Sequence, residues 1–155
     1  MMDPVIEVLL LLKNNWSLTG NLVASSIAFT TRLYDENVSM PQIVVRPVGS
    51  DSSPPIDLGG AEATYLDVEK IGFHIYVRFK QDSNSSLGWA KNTIYVMMKE
   101  AERIIKSGSV LTGDDDSIDK VFFVGGWNRA DNLRVRPPLL ISQGFGNIIK
   151  YKREK

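Results

Sequence analysis

The sequence predicts an α+β fold, a mainly antiparallel sheet with two helices packed on one face, in a single domain over residues 1–155. Two segments carry apolar residues at helical spacing, and between them a long run alternates between apolar and polar side chains. Such alternation is typical of a strand with one buried face, as found in antiparallel sheets. With 155 residues, 43% of them hydrophobic, the chain can build one hydrophobic core without disulfides or metals.

The first helix is predicted to begin at Asp3 and Pro4, because an aspartate cap followed by proline at the first helical position is a typical start. It ends within 14–17. Leu10 and Leu11 widen its apolar stripe, so we expect the helix to be covered on more than one side, by the core and by a neighbour. The stripe itself consists of Val5, Val8, Leu9, Leu12 and Trp16.

A strand is predicted over 41–48, where β-branched residues are dense and a proline stands near either end. The prolines place this strand nearer an edge of the sheet than its centre. The preceding segment, 18–39, has mixed signals, with short strands indicated at 27–29 and 33–34. The following segment, 49–60, is rich in Ser, Pro, Asp and Gly and predicts an exposed loop.

The clearest strand signal covers Val68–Lys80. We expect one buried face and one wet face, because the side chains alternate with a period of two. The predicted buried face carries Ile71, Phe73, Ile75, Val77 and Phe79, and the predicted wet face carries Lys70, Gly72, His74, Tyr76, Arg78 and Lys80.

A second helix is predicted to begin near Gly88 with Ser86 as its cap, and to stop at 107–108. On its polar side, the Glu102–Lys106 and Glu100–Arg103 pairs have the spacing of favourable ion pairs. Its apolar stripe consists of Ala90, Ile94, Met97, Met98, Ala101, Ile104 and Ile105.

Two closing strands follow. The first covers 121–124 and ends at 125–127, and the second covers 139–151. We expect Gly144 and Gly146 to mark a bulge or bend in the last strand, because glycine inside a strand commonly does so.

The charge is unevenly distributed along a chain whose formal net charge is zero. From Arg129 onward, seven basic residues stand against two acidic ones, a net charge of +5, which leaves −5 for the first 128 residues. A dipolar subunit suits head-to-tail packing, and it equally suits a phosphate backbone. We therefore expect the exposed loop 128–138 and the basic tail 150–155 to contact a neighbouring subunit or partner through Arg129, Arg134, Arg136, Lys150, Lys152 and Arg153.

Several chemistries are excluded by composition. The chain has no cysteine and one histidine, His74, which excludes disulfides, Cys-ligated metals, thiol nucleophiles and two-histidine metal sites. No Gly-x-Ser-x-Gly nucleophile motif is present, so His74 is predicted to be a hydrogen-bonded or solvated sheet residue. An enzyme that uses carboxylates and His74 ranks third among the functional interpretations.

Two segments resemble known binding motifs but do not match them. An EF-hand loop that started at Asp114 would place Asp119 where glycine is required, so 113–117 is predicted to be a solvated acidic turn. The glycines of 144–146 lack the third glycine of a dinucleotide fingerprint, since that position is Ile149. We therefore predict no catalytic, cofactor or metal site.

The apolar run Val8–Leu12 is too short for a membrane span, which needs about 20 residues, and it lacks the features of a signal peptide. We expect no membrane association and no secretion. The face around Tyr76, Arg78 and Lys80 resembles surfaces that hold single-stranded nucleic acid, although sheet surface or subunit interface is favoured. Core or interface anchoring is predicted for Trp16, Trp89 and Trp127.

The order of these elements resembles that of tail-completion or tail-terminator proteins, which act at the head–tail junction of tailed viruses and proviruses. The resemblance covers most of the chain. It is carried by the helix Val5–Trp16, the strand Ile43–Val48 with Pro41, the strand Ile71–Phe79, the helix from Leu87-Gly88-Trp89-Ala90-Lys91-Asn92 to Ile105, and the aromatic-rich strand Val121–Trp127.

The resemblance implies a non-enzymatic virion structural protein, located in the virion or the host cytoplasm. Such subunits assemble as rings that cap a tail tube, with contacts through sheet edges and extended loops. The implied partners are further copies of the chain and other tail or connector proteins. The alternative is a small nucleic-acid-binding α+β module that uses the basic C-terminal third.

Overall fold

The computed structural model describes residues 3–31, 41–52, 56–57, 63–78, 84–107, 110–111, 117–132, 134 and 139–154. Within them, one sheet and two helices confirm the predicted α+β fold. The helices are α1 (Pro4–Asn15) and α2 (Asn84–Lys106). The strands are β1 (Ala28–Thr30), β2 (Gln42–Ser52), β3 (Ile56–Asp57), β4 (Ala63–Arg78), β5 (Val110–Leu111), β6 (Ser117–Arg129) and β7 (Leu139–Glu154).

The sheet has the order β1-β2-β4-β7-β6-β5, and β3 pairs with the start of β4. All pairs are antiparallel except β1 with β2. The central pair is β4 with β7, which runs without a register shift from Ala63–Glu154 to Arg78–Leu139. Beyond Val44, β2 has β4 as its one strand partner in the described residues, which confirms its predicted place near an edge.

Both helices pack on one face of the sheet, as predicted. The alternation along β4 sets this face, because Ile71, Phe73, Ile75 and Val77 are all buried. The helix stripes are confirmed as well, with Leu9 and Met98 packed against the core although partly exposed. The buried helix residues are Val5, Val8, Leu12, Trp16, Ala90, Ile94, Met97, Ala101, Ile104 and Ile105.

The start of α1 is as predicted, since Asp3 Oδ1 accepts a hydrogen bond from Val5 N at 2.9 Å and Pro4 is the first helical residue. After the helix, the chain makes two 3-10 turns, Gly20–Leu22 and Ala24–Ser26, before β1. The strand predicted at 27–29 is therefore present with a shift of one residue, and the one predicted at 33–34 lies outside the described residues.

The start of α2 was predicted wrongly. The helix begins at Asn84, so Ser86 lies inside its first turn and is not its cap. Ser and Asn are tolerated in a first helical turn because the N–H groups there have no intrahelical acceptor, and a polar run therefore does not fix the starting residue. The predicted end is confirmed, with Ser107 Oγ donating to the Ile104 carbonyl at 2.7 Å.

The predicted loop 49–60 is wrong in part. β2 continues through a bulge between Pro47 and Gly49 as far as Ser52, and 56–57 form β3. β4 correspondingly begins at Ala63, ahead of the predicted Val68. Hydrogen-bonded pairing with β4 overrides the low strand propensity of this Gly-, Ser- and Asp-rich tract.

The basic loop and tail were also predicted wrongly. β6 extends to Arg129, and backbone hydrogen bonds between Asn132 and Leu139 at 2.8 and 2.9 Å continue the hairpin. Residues 150–154 belong to β7 and pair with β4, so they are not a free tail. Of the predicted turn 113–117, Ser117 lies in β6 and the remainder lies outside the described residues.

Gly144 and Gly146 do not mark a bulge in the pairing of β7 with β4, contrary to one part of the prediction, since that register is continuous. They make room for aromatic rings. A Cβ on Gly144 would lie 2.9 Å from Trp127 Cε3, and one on Gly146 would lie 2.8 Å from Phe73 Cε2. The bulge lies in β6 between Val124 and Asn128, where Gly125 has φ +73°.

A polar clamp ties the end of α1 to α2. Glu100 Oε2 accepts hydrogen bonds from Ser17 N at 2.6 Å and Ser17 Oγ at 2.7 Å, while Glu100 Oε1 accepts from Arg103 Nε at 2.6 Å. Arg103 Nη2 in turn donates to the Asn15 carbonyl at 3.0 Å, at the C-terminus of α1. The predicted Glu100–Arg103 pair is therefore confirmed, but Glu100 is buried and does not belong to the solvated face.

The clamp keeps Glu100 ionised. Burial alone would raise the pKa of Glu100, but the hydrogen bonds from Arg103 and Ser17, with the charge of Arg103, outweigh burial and hold the pKa below its ordinary value. A carboxylate of lowered pKa stabilises the fold above its ordinary pKa, and this stabilisation is lost as the pH falls through the folded-state pKa.

We expect Gly146→Ala to lower the free energy of unfolding by about 1–3 kcal/mol, because the added methyl group meets Phe73 and the Phe122 carbonyl oxygen at 2.9 Å or closer. Urea denaturation measures the change. Gly126→Ala is the matched control, since its Cβ meets nothing within 4 Å. Equal losses in the two variants would contradict the packing role of Gly146.

We expect Glu100→Gln to lower the free energy of unfolding by about 1–3 kcal/mol at neutral pH, since it weakens three hydrogen bonds of a buried group. The deficit should shrink as the pH falls below 4.5, where the wild type loses the same stabilisation. Glu102→Gln is the control. It removes a more exposed ion pair, with Lys106, and should lower the free energy of unfolding by less than about 0.5 kcal/mol. A deficit that is independent of pH would contradict the clamp.

Candidate functional site

The sheet has a second face, opposite the helices, which we call the open sheet face. One end of it is buried, since Gln42 and Val44 are buried and His74 is 7% exposed. The expectation of a uniformly wet face on β4 is therefore wrong at that end. The rest of the face is a mixture of half-buried positions, such as Asn147 and Ile149, and of exposed apolar and basic side chains.

The exposed apolar residues of this face lie close together. Phe145 pairs with Val124 across β7 and β6, and Phe122 pairs with Asn147 in the next row, so the two phenylalanines are diagonal neighbours. Phe145 is 40% exposed and Phe122 is 43% exposed. Diagonal neighbours in an antiparallel pair lie roughly 7–8 Å apart, so both side chains belong to one patch of this face.

Basic residues border this aromatic pair. Arg46, Gly72 and Phe145 share one row across β2, β4 and β7, while Lys70 and Lys120 lie in the following rows. All three basic side chains are exposed. Among the side chains that the structure describes on this face, none is acidic. Asp51 occupies the register position opposite Val68, at the far end of the face.

Gly72 stands between Arg46 and Phe145 in this row and is buried. A Cβ there would lie 3.1 Å from His74 Nε2 and 3.4 Å from Val48 Cγ2. The side chains of His74 and Val48 therefore fill the space beside Gly72, and a larger residue would have to displace them.

His74 lies under this face as a hydrogen-bonded sheet residue, as predicted. Its Nδ1 lies 3.4 Å from Tyr76 Oη, and the two rings stack with centroids 6.2 Å apart. Burial, and secondarily the positive charge of Arg46, lowers the pKa of His74. The imidazole is accordingly favoured in its neutral form.

The predicted interface residues do not form one cluster. Arg129 makes a bidentate pair with Asp131, with both Nη2–oxygen distances at 2.9 Å, while Asp131 also accepts from Ile141 N at 3.2 Å. The positive charge of Arg129 is therefore compensated within its own hairpin. Arg134 is exposed, and its backbone N donates to Asn132 Oδ1 at 3.1 Å. Arg136 lies outside the described residues.

The remaining predicted residues lie at the other end of β7. Lys150 occupies a register position between Asp67 and Asp119, whereas Lys152 is opposite Tyr65 and Ser117, and Arg153 is opposite Thr64. Ten residues of strand separate Ser142, opposite Arg129, from Lys152. At about 3.4 Å per residue these two basic groups are roughly 34 Å apart, so they belong to different surfaces.

The three tryptophans differ in their surroundings. Trp16 is a core anchor, donating from Nε1 to the Leu22 carbonyl at 2.8 Å and packing edge-on against Phe29. Trp127 is half-buried and packs against Phe123, with the ring centroids 5.3 Å apart. Trp89 is 45% exposed, so its predicted role as a core anchor is wrong, and a role at an interface stays a prediction.

The outer surface of the helical layer also carries apolar side chains. On α1, Ile6 is 41% exposed and Leu10 is 38% exposed, one helical turn apart. We call this pair the α1 stripe. It is the part of the widened apolar surface of α1 that the core of the subunit does not cover.

Sequence reasoning missed Phe122, Val124 and Phe145. The run Val121–Val124 is apolar at every position, so its alternation between core and open face is hidden. In the structure, the burial of Val121 fixes the opposite direction for Phe122 and Val124. Phe145 stands alone between Gly144 and Gly146, where the sequence offers no alternation to indicate its face.

Within the described ranges, no group of three or more His, Cys, Asp or Glu side chains is placed to hold a metal ion. Across the same part of the chain, no helix combines the length and apolar character needed to span a membrane. No known protein-family model matches the sequence. A comparison with curated proteins found no match either.

We expect the free energy of unfolding to fall as the pH is lowered from about 7.5 to about 5.5, because the unfolded chain protonates His74 at its ordinary pKa of 6.5 before the folded protein does. His74→Gln should flatten this part of the pH profile, measured by urea denaturation. A decline of the same size in the variant would assign the effect to other groups.

Proposed function

We propose that the protein is a non-enzymatic structural subunit that assembles with copies of itself, with a tail-terminator-like role at the head–tail junction of a virus or provirus. The observation that carries self-assembly is the α1 stripe, an apolar pair left exposed on a helix whose opposite side forms the core. Apolar side chains grouped on a surface are typical of protein–protein interfaces. The viral role rests on the resemblance in element order.

The sheet edges support the same proposal. Residues 45–52 of β2 and 121–129 of β6 each have one strand partner in the described part of the chain, which leaves their outer backbone groups available for pairing. A contact between the β2 edge of one copy and the β6 edge of the next would be heterologous, and heterologous contacts that close produce rings. The bulges in both strands limit such pairing to short segments.

The basic residues remain proposed contacts for a neighbouring subunit or for other tail or connector proteins. Because Arg129 and Arg134 are far from Lys150, Lys152 and Arg153 along β7, they would serve two different contacts. That arrangement suits a subunit with a neighbour on each side. We propose the virion or the host cytoplasm as its location.

The test is the solution mass by light scattering over a range of protein concentrations, at low and high salt. We expect a discrete oligomer for the wild type and at least about tenfold weaker association for the double variant Ile6→Lys, Leu10→Lys, because two partly exposed apolar side chains lose their burial. Asn14→Lys, an exposed change on the same helix, is the matched control and should leave the mass unchanged.

Negative-stain imaging of the wild-type oligomer then distinguishes a closed ring from another arrangement. A wild-type monomer at every concentration would contradict self-assembly. A double variant with wild-type mass would remove the α1 stripe from the interface.

A further inference from the structure

The open sheet face carries a second inference, independent of self-assembly. We propose that it binds single-stranded nucleic acid, with bases stacked on Phe122 and Phe145 and the backbone held by Arg46, Lys70 and Lys120. This surface differs from the basic C-terminal third, whose residues the structure separates into two groups.

The aromatic pair provides the stacking surface. Phe122 and Phe145 are exposed at diagonal positions of adjacent strands, and no helix of the described chain lies over them. Single-stranded nucleic acids bind to sheets in this way, since every base has a flat face that can stack on an aromatic ring. Two diagonal rings offer places for two unstacked bases.

The charges identify the chemistry of the ligand. The described charged side chains around the pair are basic, at Arg46, Lys70 and Lys120, and they lie on three strands in three consecutive rows. A phosphate backbone that crosses the strands would pass these cations in turn while its bases reach the phenylalanines.

A second copy of the chain fits this face less well. The exposed charged side chains described on the two helices are basic, including Lys13 and Lys91, although Lys99 and Lys106 form ion pairs with the partly buried Glu102. The helical layer of another copy would therefore bring like charge toward Arg46, Lys70 and Lys120. A polyanion avoids this repulsion.

The test is fluorescence anisotropy with labelled oligothymidine and oligouridine of about 15 nucleotides, using the full chain at about 50 and 200 mM salt. We expect Phe122→Ala and Phe145→Ala each to weaken binding roughly 5- to 150-fold, as for the loss of one stacked base. Lys70→Gln and Lys120→Gln should each reduce the steepness of the dependence of log affinity on log salt by about 0.7.

Matched controls lie on the helical layer. Tyr95→Ala removes an exposed aromatic side chain and Lys99→Gln an exposed lysine, and neither should change the affinity. Thermal denaturation of every variant identifies losses that come from unfolding, and these side chains are exposed enough that we expect the fold to survive.

Three outcomes would overturn the proposal. The first is the absence of an anisotropy change with either oligonucleotide at low salt. The second is an equal loss of affinity in Tyr95→Ala and Phe145→Ala. If Phe122→Ala and Phe145→Ala instead reduce the mass of the oligomer and leave nucleic-acid affinity unaltered, the open sheet face is a subunit interface and the proposal also fails. The variants of the α1 stripe test self-assembly separately.

Discussion

The pairing of β4 with β7 is the constraint on which the rest of the structure depends. It fixes which side of each strand faces the helices, because a slip of one residue would exchange the two faces. In the observed register Phe73 lies opposite Gly144, and Ile71 lies opposite Gly146. The two glycines make the space into which Phe73 and Trp127 pack, so the register and the core determine each other. β2 and β6 then add their own apolar residues to the same face on either side.

The two faces of this sheet differ in the side chains that they carry and in how far these are covered. The helix face is covered by aliphatic stripes from α1 and α2, and beside them the Glu100 clamp satisfies polar groups at the end of α1. Uncovered aromatic side chains and basic residues share the opposite face at the same strands. Apolar residues therefore serve the core on one side and are available for recognition on the other. Residue type alone does not separate the two uses.

The helices and the long strand were predictable because their signals are periodic over ten or more residues, and burial of Ile71, Phe73, Ile75 and Val77 follows that period. The prediction errors occur where pairing with a distant segment determines the local structure. The polar tract 49–52 is a strand because β4 offers it a partner, and the basic tail is the end of β7. Glu100 was expected in solvent because its spacing to Arg103 suits a surface pair, and the approach of Ser17, distant in sequence, is not visible locally. Phe122 was missed because it lies in an apolar run that hides the alternation, whereas Phe145 stands alone between two glycines, which give no indication of its direction.

The central pair also constrains how the chain folds. Arg78 pairs with Leu139 and Ala63 with Glu154, separations of 61 and 91 residues along the chain. Contacts of such high contact order close large loops before they gain stability, which slows folding. During synthesis, β4 leaves the ribosome long before β7 exists, and at roughly 5–20 residues per second its apolar face waits several seconds for its partner. α2 follows β4 directly in the chain and packs against it in the folded protein, so it is available to cover that face before β7 has been made.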